Sequence, residues 1–322
     1  MAYTAKKIRQ GAWKNEAGLS LLELMASLFV MLIAGGVVVG ALIGMTRTQG
    51  TISNRTEMHS SIRSATELLE QEIGQAGSIA VPGTVTTAAA IAVGTQTVTL
   101  TSTAAGNSTA GMFVGEFVTV DSGYVTAGSP LQETVALTAV NNTQITAQFN
   151  IAHVSGVSVV PLGGFASGVV PPSVTNGSTG SLLKIFGNIN GDGKMVYVEY
   201  KCDTAGGNLY RNSMAYDTAA ASKPALTSGL VLLPNILPNP GNASCFTYQT
   251  KTVGGVDYII DVAITLTAQT QVVDPQTGAF QQETKALLNV SPRNVFEAYN
   301  LATLLINNRI QPTPPSVTSL LP

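Results

Sequence analysis

AGLSLLELMASLFVMLIAGGVVVGALIGM, residues 17–45, decides the fold, because it is an almost unbroken apolar run with one ionisable side chain, Glu23, set just inside its start. From Leu19 to Met45 a helix rising 1.5 Å per residue extends about 40 Å, more than the roughly 30 Å of a bilayer core. It exceeds the 7–15 or so residues of an ordinary signal-peptide core. Lys6, Lys7, Arg9 and Lys14 precede it against the single acid Glu16, so the N-terminal end is expected to stay cytoplasmic. The small pair Ala17-Gly18 lies before the apolar run, not after it. Cleavage after Gly18 would therefore remove only the basic leader and leave the hydrophobic helix in place, with Glu23 as the fifth residue of the mature chain.

Outward from this stretch the helical pattern continues. Met58, Ile62, Ala65, Leu69, Ile73 and Ala76 recur at spacings of three and four, one face of an α-helix, while Arg55, Glu67, Glu70 and Gln71 fall on other faces. Gly77 supplies the stop, since glycine takes the left-handed conformation that ends helices. A single helix from Leu19 to about Gly77 is predicted, roughly 88 Å long. Gly36, Gly40 and Gly44 inside the apolar part admit two readings: close approach of a neighbouring helix or a weak point that stretches, and the ordinary abundance of glycine in membrane helices.

After Gly77 the composition shifts to Gly, Thr, Val, Ala, Asn and Ser, with apolar and polar residues alternating between turn residues, the pattern of antiparallel strands. A first block, about 81–165, holds TQTVTLTS, EFVTVDSG, ETVALTAVNNTQITAQF and VSGVSVVPLGGF and reads as a compact all-β module. A second, about 180–293, holds LLKIFGNINGDGKMVYVEYKCD, NLYRN, LVLLPNILPNPGNASCFTYQT, YIIDVAITLTAQT and NVSPRNV. The expected class is α+β: a long helix on an antiparallel β head, with an inserted all-β module. The expected divisions are a leader 1–18, a helix 19–78 with its transmembrane part 19–45, a module 79–168, a head 169–293 and a C-terminal segment 294–322 whose Pro-rich tail is expected to be extended, with packing on the head or a loose end as the alternatives.

Charged residues make up only 11% of the chain and the net charge is -2, so no basic surface for tracking phosphates is expected and direct nucleic-acid binding is not. Cys202 and Cys245 are the only cysteines. In an oxidising compartment they are expected to form a disulfide closing a loop of about 44 residues, worth roughly 4 kcal/mol by chain entropy; the alternative is two separate buried thiols.

The leader, Gly18 and Glu23 together resemble the class III signal of type IV pilins and type II secretion pseudopilins. The resemblance implies a prepilin peptidase that cuts between Gly18 and Leu19 and N-methylates Leu19, where Leu replaces the more usual Phe or Met. It implies that Glu23 serves assembly, meeting the N-terminal amine of a neighbouring subunit as a filament grows. The order of helix, strand-turn-strand, Leu-Tyr-Arg element, late strand and Arg-Asn is similar to minor pilins of the PilW kind and, more distantly, to pseudopilin J. Implied partners are other minor and major pilins, the peptidase and an inner-membrane assembly platform. The implied location is the inner membrane, single-pass with a periplasmic head, then the extracellular pilus. Residues 81–168 have no counterpart in the resemblance. They open a rival from another class, a tip adhesin whose module binds a surface ligand, beside the pseudopilin alternative and a plain anchored protein.

Asn188, Asn190 and Asp192 at alternate positions, Gly193 and Glu199 at the twelfth have the spacing of a calcium loop. Against calcium, the first position is Asn, and MVYVEY alternates like a strand where the motif normally enters a helix; a hairpin turn is the competing expectation. No cofactor other than this possible Ca2+ is expected. His59 and His153 lie in different blocks without a nucleophile setting, so no catalytic residues are expected and each histidine is assigned to the surface or an interface.

Overall fold

The computed structural model describes residues 20–122, 125–126 and 129–322. Its dominant element is one helix, α1, from Leu21 to Gln75. Over its first 25 or so residues every side chain is exposed, and beyond them it dips into the head. The face expected from the three-four spacing is the face that is buried: Met58, Ile62, Ala65, Leu69, Ile73 and Ala76 join Leu183, Ile185, Val198, Tyr200, Ile259 and Ile264 in the main core. The helix ends where glycine was expected to end it. Gly77 has φ +81°, and a Cβ there would stand 3.0 Å from Phe165 O and from Val295 Cγ2.

The head is antiparallel throughout its larger strands. Leu182–Gly187, Val196–Asp203, Asn208–Ala215 and Val231–Pro234 form one four-stranded sheet in chain order. The long strand Val256–Gln269 carries Phe246–Val253 and the short Ile236–Leu237 along one side and Gln282–Val290 along the other. Cys202 and Cys245 are bonded, joining the first sheet to the start of the Phe246 strand inside the main core. The architecture is α+β as expected from the sequence.

Between the helix and the head the chain detours through strands Val85–Thr87, Gly94–Ser102, Phe117–Val120, Glu133–Val140, Gln144–Phe149 and Val159–Pro161, all paired antiparallel. The outermost two also meet: Thr86 bridges Ser158, and the Thr87 N–H donates to Val157 O at 3.0 Å. The sheet thus closes into a six-stranded barrel, which leaves it without free edges for another chain to pair with. Its interior is a separate apolar cluster that includes Val98, Val118, Leu137, Ile145, Ala147 and Phe149.

Three details differ from the sequence expectations. Residues Arg293–Thr303 form a second helix, α2, which buries Val295, Ala298 and Ala302 against Tyr258 and Ile260. Of the alternatives for the tail, the packed one holds and not the extended one: Pro315–Leu320 forms a short helix, α3, with Val317 and Leu320 buried beside Phe186 and Tyr197. His153 is interior, not superficial, because its ring is held inside the barrel wall by Glu133.

Candidate functional site

The element with a chemistry of its own is the bare half of α1. Its best 18-residue window has a mean hydropathy of 2.5, so by length and composition it can cross a membrane, and none of that window is buried in the head. The cleavage and methylation positions Gly18 and Leu19 lie outside the described residues. Glu23 lies inside them and has a local role that the sequence reading passed over. The Ser20 N–H donates to Glu23 Oε2 at 3.2 Å, and the Glu23 N–H donates to Ser20 Oγ at 3.3 Å. These are the two bonds of a capping box, which satisfies helix N–H groups otherwise left without partners. The signal was legible as Ser-x-x-Glu ahead of an apolar run.

Gly36, Gly40 and Gly44 face open space, with nothing within 4 Å of an added Cβ. Just after them Thr46, Thr48 and Thr56 each donate their hydroxyl to the carbonyl four residues earlier. Such back-bonding competes for carbonyls that the helix already uses and favours bending.

The docked half is fixed by charge as well as packing. Glu72 is buried; Arg211 holds it through Nη2 at 2.5 Å and Nε at 3.1 Å from Oε1, and the Tyr200 hydroxyl donates to Oε2 at 2.5 Å. Burial, reinforced by the carboxylate, pushes the Tyr200 phenol far above its ordinary value, so it stays a donor. At the helix end the Gly77 N–H donates to Phe186 O at 2.9 Å, and Gly77 O accepts from the Phe165 N–H at 2.9 Å. Asn294 of α2 donates its side-chain amide to Gln75 O and Ala76 O. A Cβ at Gly168 would fall 2.2 Å from Gly77 Cα, so only glycine admits this approach.

The calcium-loop residues are not brought to one point. Asn188 Oδ1 accepts from the Gly193 N–H and Asp192 Oδ1 from the Lys194 N–H, which makes them turn formers, and Asn190 is exposed in the same turn. Glu199 lies three residues beyond Val196, the partner of Gly187, about 10 Å along the strand. Its carboxylate accepts from Tyr197 OH and Lys223 Nζ, both at 2.7 Å, with Lys184 Nζ at 3.6 Å. The reason is the one visible in MVYVEY: the chain leaves the turn as a strand, so the twelfth position is carried away from the first five. Among the described residues no three His, Cys, Asp or Glu side chains are grouped to share a metal ion. The two lysines also hold the tail, Lys223 Nζ donating to Leu320 O at 2.8 Å and Lys184 Nζ to Leu321 O.

Inside the barrel wall, Glu133 accepts from the His153 Nε2 side at 2.8 Å and from the Asn150 N–H at 2.9 Å. These two bonds pin the chain that follows the Gln144–Phe149 strand. His59, by contrast, is half-exposed on α1, where its ring bridges Arg55 and Glu283 and ties the helix to the Gln282 strand.

No protein-family model, no curated protein and no solved structure matches the chain.

Proposed function

We propose that this chain is a non-enzymatic filament subunit, a PilW-like minor pilin of a type IV pilus that takes part in initiating pilus assembly. The observation that carries the proposal is the division of α1, one continuous helix with a bare apolar half fit for a membrane and an amphipathic half sunk in a β head. A subunit that passes from bilayer to filament needs both halves on one rod, because the apolar half must exchange lipid for the same halves of its neighbours while the head stays folded. The basic leader, Gly18 and Glu23 support the same assignment by resemblance. In this reading a prepilin peptidase cuts after Gly18, the subunit waits in the inner membrane with its head in the periplasm, and an assembly platform extracts it into the filament core.

Mass spectrometry of the N-terminus of protein taken from native membranes tests the proposal. The expected species begins at a methylated Leu19. A chain that still carries residues 1–18 would overturn the assignment and leave an ordinary anchored protein.

A further inference from the structure

We propose that the loop from Thr270 to Gln281 rests on the lipid headgroups where the helix leaves the bilayer, with Val273 and Phe280 as its lipid-contacting side chains. The inference rests on the reading of Leu21–Met45 as a membrane span. The loop is fastened to α1 at a particular height: Gln276 Nε2 donates to Thr48 Oγ1 at 2.8 Å, the Thr51 hydroxyl donates to Asp274 Oδ1 at 2.5 Å, and an added Cβ at Gly50 would stand 3.1 Å from Pro275 Cγ. These helix positions lie three to six residues past Met45, about 4.5–9 Å along the axis. A bilayer of about 40–45 Å around a core of about 30 Å has a headgroup layer of roughly 5–7 Å on each side. Counting about 30 Å back from Met45 puts the inner edge of the core near Met25 and Glu23 in the opposite headgroup layer, and with the run seated this way the loop is held at outer headgroup depth by contacts to the same helix that would cross the core.

Its surface chemistry fits that depth. Val273 and Phe280 are 43% and 45% exposed, and Ile52, next to Thr51 on the helix, is exposed as well. Apolar side chains left bare in this way mark a contact surface, and aromatic rings are favoured at the membrane interface. Asp274 is the only ionisable residue between Thr270 and Gln281, and it is turned inward. Its carboxylate accepts from Thr51, the Gln276 N–H, the Thr277 hydroxyl and Gln281 Nε2, so no charge faces outward from the loop to resist lipid. A head seated this way is held upright over the membrane, and its loop must leave the lipid when the subunit is extracted.

The test uses the full chain with Trp13→Phe, which removes the sole tryptophan, and one new tryptophan at a time: Phe280→Trp in the loop, Leu32→Trp in the span and Val154→Trp in the barrel. Each variant is reconstituted in phosphatidylcholine vesicles whose lipids carry a spin label at the headgroup or deep in the acyl chain. The expected result is headgroup-label quenching at position 280 at least about twofold stronger than at 154, with deep-label quenching at 32. Quenching at 32 with none above the 154 level at 280 would overturn the loop contact alone. Absence of quenching at 32 would remove the span, and the contact with it. A position-280 signal that changes with protein density but not with lipid label would overturn the proposal in favour of a second copy as the occupant.

Discussion

Glu23 has one job in the structure, closing the capping box, and one in the proposal, pairing with a neighbour's amine, and a single substitution can separate them. A carboxylate costs about 2.5 kcal/mol or more at the centre of a membrane helix and less near the edge, where Glu23 stands at the start of α1. A capping box can be closed by Gln as well as by Glu, so capping alone does not call for the charge. If charge pairing with a neighbour's amine drives incorporation, Glu23→Gln and Glu23→Ala should both enter the membrane and both fail to join filaments, as measured by subunit counts in sheared pili. If capping is what matters, Glu23→Gln incorporates normally and only Glu23→Ala fails. Glu116 makes a second prediction at this scale. It is fully buried against the Phe113 N–H, and burial pushes its carboxyl up to about 8 from an ordinary 4.5. The folded chain thus keeps a proton that the unfolded chain releases, so stability falls as pH rises from about 4.5 to about 8. Glu116→Gln should flatten that decline and add a few kcal/mol at pH 8, read from urea unfolding at a series of pH values.

The docking of the helix is the element whose construction was most and least legible at once. Its apolar face could be read from spacing alone, because packing on a sheet demands a stripe at three and four residues and nothing else in the segment offers one. Glu72 could not. It lies on the same buried stripe, three residues past Leu69 and four before Ala76, but the partners that let a carboxylate be buried there, Arg211 and Tyr200, are far away in the sequence. The helix α2 was readable in principle, since Val295, Ala298 and Ala302 are correctly spaced, but Pro292 and the prolines of the tail point to loop. Barrel closure was not readable, because it depends on the Thr86–Ser158 pairing across the whole module. The energetic content of the Glu72 contact is testable. Arg211→Met leaves a buried carboxylate without its cation and should cost about 3 kcal/mol, whereas Glu72→Met combined with Arg211→Met should restore most of it. Thermal unfolding of the single and double variants in detergent measures the difference. A double variant as unstable as the single would mean that shape rather than charge fixes the docking.

At the scale of the whole molecule, the head owes nothing to the bare half of the helix. The first buried residue is Met58, and the earliest helix contact with the head is at Thr48. A chain beginning at Thr46 should accordingly be soluble and monomeric by sedimentation, with a melting temperature within a few degrees of the full protein in detergent. A large fall would mean that the apolar half supports the head. The same view from outside changes how the barrel is understood. The chain departs for it at Ser78 and comes back at Gly164, and those two residues are paired as a β-bridge beside Gly77. To the rest of the fold, some 85 residues are therefore one long detour between neighbouring points, and replacing them with a three- or four-residue link would lower the loop-closure entropy by roughly 3 kcal/mol. Against that gain stand Phe113 on Phe165 and Gln311 bonded to Phe117, the contacts through which the barrel leans on the head. Because the detour begins and ends at one β-bridge, its removal would leave the course of the helix and of the head strands unchanged.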